Sequence, residues 1–104
     1  MNELKFVGGN DVVTIKIFDN KRIVYTSNLF GINNVPIEKI ITVEGVIKEY
    51  PELKDLPKEE VLFEGVRRWK EIINKLESID QVKNYVIAEL EQQGLTYVGR
   101  RING

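Results

Sequence analysis

The side chains available for chemistry in this sequence are carboxylates, lysines, arginines, tyrosines and hydroxyls, because none of its 104 residues is histidine or cysteine. The commonest proton shuttle near neutral pH, the thiolate nucleophile and the usual transition-metal ligands are thereby missing. Catalysis would have to run through carboxylates, a lysine or a tyrosine. Glu64 and Glu71 recur at helical spacing with Arg67 and Arg68 between them, a pattern that surface ion pairs one turn apart account for. Asp11 and Asp19 fall at opposite ends of one expected strand, about 25 Å apart at strand rise, too far to share a metal ion. The tract Val7-Gly8-Gly9-Asn10-Asp11 matches neither phosphate-binding fingerprint, and it leads into a strand where those motifs lead into a helix. A hairpin turn is its expected use. No catalytic residue, metal site or cofactor is therefore assigned, and the expectation is a protein that binds and does not transform.

Two binding surfaces compete for that role. Phe63 and Tyr85 flank the apolar stripes of two expected helices; they either widen the core or, with Arg67 and Arg68, form a contact surface for a protein partner or a second copy of the chain. Aromatics and arginines are the usual anchors of such contacts, and edge strands offer a further route by strand addition. The alternative is a nucleic-acid platform built from Lys16, Lys21, Arg22, Arg100 and Arg101, with Tyr25, Tyr97 or Phe18 among them. It requires the last strand to pair near the second hairpin. No nucleic-acid-binding motif accompanies these residues, and the net charge of −1 is not basic.

The elements that must position these residues follow from periodicity. Leu4 and Phe6, then Val13, Ile15 and Ile17, then Ile23 and Tyr25 alternate, which predicts three antiparallel strands near 3–7, 12–18 and 22–27. Gly8 to Asp11 and Asp19 to Lys21 should close the hairpins, and Asn28 to Asn34 should leave the sheet as a loop. Residues 35–50 admit two readings. Ile40, Val43, Ile47 and Tyr50 suit a short helix capped by Thr42 and ended by Pro51, while Val35 to Thr42 could equally supply a strand.

Asp55-Leu56-Pro57 opens the clearest helix, with its proline in the first turn. Leu62, Val66, Trp69, Ile73 and Leu76, with Gly65 and Ile72 beside them, make its apolar face. Ser78 with Gln81 forms a capping box for the next helix, in which Ile79, Val82, Val86 and Leu90 face inward and Gly94 terminates. Leu95 to Ile102 should return to the sheet as a fourth strand. The order predicts an α+β fold over residues 1–104 as a single domain: three to four antiparallel strands with two or three helices on one face.

Composition is consistent with this. With 42% hydrophobic and 30% charged residues the chain has the makings of one packed core. Residues 1–35 carry four bases and three acids, residues 36–94 nine and thirteen, and the last ten only Arg100 and Arg101. The middle is acidic and the ends mildly basic, an asymmetry too small for strong steering. The absence of cysteine, of a basic and apolar leader and of any long apolar run leads to the expectation of a cytoplasmic protein, in its source cell or a host, with no membrane partner.

Overall fold

The computed structural model describes residues 1–101, with side chains through Gly99. Five antiparallel strands form one sheet in the order β4-β3-β2-β1-β5: β1 (Asn2–Gly8), β2 (Asp11–Ile17), β3 (Ile23–Ser27), β4 (Ile32–Pro36) and β5 (Thr96–Tyr97). Three helices occur among the described residues, α1 (Val43–Glu49), α2 (Lys58–Lys75) and α3 (Ile79–Gln92), with 3-10 turns at Ile37–Ile40, Pro51–Leu53 and Val98–Arg101. Among the described residues no helix is long and apolar enough to cross a membrane.

The hairpins form where turn chemistry places them. Gly8 pairs with Asp11, so Gly9 and Asn10 make the first turn, and Gly9 adopts φ 57°. In the second turn Asn20 Oδ1 accepts from the Arg22 amide at 3.0 Å, and Lys21 takes the left-handed conformation at φ 67°. In-register pairing then puts Leu4, Phe6, Val13, Ile15, Ile17 and Ile23 on one face, where all are buried. The opposite face carries Glu3, Lys5, Thr14, Lys16 and Thr26; Val24, in register with Lys16 and Pro36, is its buried apolar residue.

The sequence-based expectation is corrected at three places. Ile32 to Asn34, expected in a loop, belong to the strand Ile32–Pro36, because Asn34 keeps its place beside β3 through a bond from its amide to Thr26 Oγ1 at 3.0 Å, and a register shift between Tyr25 and Ser27 absorbs the irregular residues. The last strand is only Thr96–Tyr97, since the chain turns into a 3-10 coil at Val98; Ile102, where it was expected to end, lies outside the described residues. The buried line of α2 is Val61, Gly65 and Ile73, with Leu62 and Val66 only half-buried. That helix must serve two neighbours, the sheet and α1, and its inward face is turned accordingly.

The remaining boundaries agree with their local signals. Thr42 caps α1, its Oγ1 accepting from the Gly45 amide at 3.0 Å, and Ser78 Oγ accepts from the Gln81 amide at 3.2 Å. Pro57 sits one position earlier than expected, at the N-cap of α2, and Gly94 ends α3 with φ 97°. The main core joins β1, β2 and β3 to Ile37, Ile73 and the inner face of α3. A satellite cluster of Val46, Leu53 and Val61 holds α1 against α2.

Candidate functional site

Where α1, α2 and α3 meet, side chains leave a half-open cleft of about 140 Å³. Its back wall exists because residue 65 is glycine: a Cβ there would lie 2.4 Å from Val46 Cγ2, so only a bare backbone lets α1 approach α2 this closely. Ile37, Ile40 and Ile41 contribute apolar surface from the 3-10 turn and its exit, and Leu90 closes the α3 side. Three aromatic residues complete the lining: Trp69 from α2, Tyr85 from α3 and Tyr50 from the end of α1. Trp69 and Tyr85 meet at a centroid separation of 5.4 Å in a tilted pair.

Two carboxyl groups, Glu49 of α1 and Glu89 of α3, also line this cleft and touch each other. Burial, followed by the charge and contact of Glu49, pushes Glu89 up to about 7, and the hydrogen bond with Tyr85 offsets only part of this. Burial, then Glu89 and Glu49, raises the Tyr85 phenol well above its ordinary value, and burial and Glu49 raise that of Tyr50.

Among the described residues no lysine or arginine forms a salt bridge with either carboxyl. Lys48 lines an adjoining shallow hollow with both of them. Arg68, at the rim, stacks its guanidinium 4.5 Å from the Tyr50 ring centre and spends its charge on Glu52 and Glu64, each at 3.1 Å. The charged residues that line the cleft itself are both acidic. Carboxyls in direct contact leave no room for a glycosidic bond and a water between them, so the pair does not have the spacing of a glycoside hydrolase. An apolar wall with a few convergent polar groups is an architecture that ligand-binding and active sites share.

The residues expected to bind a partner are divided by the structure. Phe63, 71% exposed, stands on the outer side of α2, and Arg67 is there too, holding Glu64 and Glu71, the latter at 2.9 Å. Arg68 and Tyr85 belong to the cleft and its rim. The ion pairs expected at Glu64 and Glu71 are present, and the hydrogen bonds from Arg67 and then Arg68 lower the Glu64 carboxyl to about 2.

Of the basic residues expected to bind nucleic acid, Lys16, Lys21 and Arg22 have described side chains. The Lys21 ammonium donates to the carbonyls of Asn74 and Leu76 and so closes the C-terminal end of α2. Arg22 lies 5.7 Å from the Phe18 ring centre, and Lys16 stands on the open sheet face between Glu3 and Val24. β5 pairs with β1, not with either strand of the second hairpin. The side chains of Arg100 and Arg101 lie outside the described residues.

Sequence reasoning missed Glu49, Glu89 and the role of Tyr50. Glu89 had a signal, since it lies one turn after Tyr85 beside the apolar stripe of α3; Glu49 had none, because its neighbour is on another helix. Comparison with protein-family models, curated proteins and solved structures finds no match.

Proposed function

We propose that this chain is a small non-enzymatic binding domain, an accessory factor of regulatory or inhibitory type, that docks a protein partner at the cleft between α1, α2 and α3. One observation carries the reading: Trp69, Tyr85 and Tyr50 line an open cleft with Arg68 at its rim, the residue types that dominate protein contacts. The cysteine-free composition suits a partner met in the cytoplasm. The nucleic-acid alternative has less support, because Lys21 is committed to the end of α2 and β5 pairs with β1, not with the second hairpin.

The test compares capture by three forms of the immobilised protein. A partner retained by the wild type and by Phe63→Ala, but lost with the Tyr50→Ala, Arg68→Ala double variant, supports the cleft. A partner lost with Phe63→Ala and kept by the double variant would move docking to the outer side of α2. Recovery of no partner, together with salt-dependent binding of oligonucleotides, would put the nucleic-acid reading in front.

A further inference from the structure

We infer that the cleft receives a lysine side chain of the partner, its ammonium seated against Glu49 and Glu89 and its alkyl stem against Trp69 and the isoleucines of the wall. The inference rests on the docking reading above and names the chemistry that the site selects. The geometry supplies each part. A cavity of about 150 Å³ admits a benzene-sized molecule, and this cleft of about 140 Å³ thus takes one side-chain end and not a folded peptide. A primary ammonium brings three donors and no acceptor, and the two carboxyls and the Tyr85 oxygen offer acceptors converging from α1 and α3. Aromatic rings around a cation add attraction when water is excluded. The rim already shows the effect, with Arg68 drawn onto Tyr50.

Charge complementarity points the same way. Two carboxyls in contact on facing helices repel each other when both are ionised, and Arg68 cannot relieve them because it is held by Glu52 and Glu64. A cation docked against both carboxyls offsets that repulsion and displaces the proton that the pair holds. An arginine fork would suit one carboxylate taken side-on, whereas a compact ammonium can serve two at once. The charged and titratable groups around Glu89 are Glu49 and Tyr50 from α1 and its end, Tyr85 on its own helix and Lys48 across the adjoining hollow, with Arg68 of α2 behind Tyr50. Burial and Glu49 bring Glu89 up to about 7, so occupancy should rise between pH 5.5 and 8.

Trp69 is the single tryptophan of the chain and lines the cleft, so its emission reports the site. The probes are the capped tripeptide glycyl-lysyl-glycine, the same peptide acetylated on the lysine nitrogen, and n-butylammonium. The unacetylated peptide and n-butylammonium should both shift the emission, at least tenfold more tightly at pH 8 than at pH 5.5. Lysine acetylation, or the Glu49→Gln, Glu89→Gln double variant, should weaken the peptide at least tenfold, and a thermal melt confirms that the variant is folded. Equal binding of the acetylated peptide, or a double variant that binds as well as the wild type, would overturn the lysine assignment while leaving docking at the cleft in place. No response to any probe at millimolar concentration, with partner capture still lost in the Tyr50→Ala, Arg68→Ala variant, would also overturn the lysine assignment and retain the docking. No response together with capture unaffected by that variant would remove both.

Discussion

Glu89 is the residue whose environment departs most from what its position on a helix implies. Its value rises from 4.5 to about 7 in the folded chain, so between those limits the native state binds more protons than the unfolded state, and stability falls as pH rises through the window. A shift of that size corresponds to about 3 kcal/mol, which screening reduces to about 1 to 2 kcal/mol for a carboxyl only half withdrawn from water. Glu89→Gln should therefore stabilise the protein by about 1 to 2 kcal/mol at pH 8 and leave it nearly unchanged at pH 4.5, as measured by urea unfolding at the two pH values. Asp11 behaves in the opposite sense. The Leu29 amide donates to Oδ1 at 2.9 Å and the Ser27 hydroxyl to Oδ2 at 2.7 Å, and these two bonds hold the carboxyl below its ordinary value of 3.8. Its contribution is present above that value and lost as pH falls below it. Since the Ser27 hydroxyl also accepts from the Phe30 amide, Asp11→Ala should release the turn that presents Leu29 and Phe30, seen as faster amide exchange at those two residues.

At the level of elements, two contacts decide how the helices sit. Lys21 joins the second hairpin to the last carbonyls of α2, a favourable charge–dipole arrangement worth about 0.3 to 1 kcal/mol, or more when partly buried. Lys21→Met should lower stability by about 1 kcal/mol in urea unfolding, without altering the fold. Gly65 decides the approach of α1. Alanine in a helix gains about 1 kcal/mol over glycine, but a Cβ 2.4 Å from Val46 Cγ2 overpacks the contact at about 1 to 3 kcal/mol. Overpacking wins, so Gly65→Ala should destabilise; in a Val46→Ala background the same substitution should become neutral or stabilising, a coupling that a double-mutant cycle measures. The caps at Thr42 and Ser78 were legible in the sequence because a cap is a local device. β4 was not, since Asn33 and Asn34 read as a turn and only pairing with β3 makes them a strand.

Across the whole molecule the packing is uneven. The sheet and α3 share the main core, while α1 is held by the three-residue cluster of Val46, Leu53 and Val61 with its half-buried neighbours. Fewer buried apolar contacts mean a lower free energy of local opening. Native-state hydrogen exchange should thus show α1 amides opening well before those of β2, which makes α1 the more adaptable wall of the cleft.

Sequence alone determined the α+β class, the two hairpins, the two long helices and the surface ion pairs of Arg67 and Arg68 with Glu64 and Glu71, because each depends on alternation, turn chemistry or neighbours within one helical turn. It also removed histidine and cysteine chemistry from consideration. Only the tertiary structure decided that Lys21 would be spent on a helix end, that Phe63 and Tyr85 would face different surroundings, and that Glu49 and Glu89 would meet among aromatic rings. Those contacts join residues tens of positions apart, and their partners are chosen by how α2 and α3 pack on the sheet and α1 on α2, which no local pattern encodes.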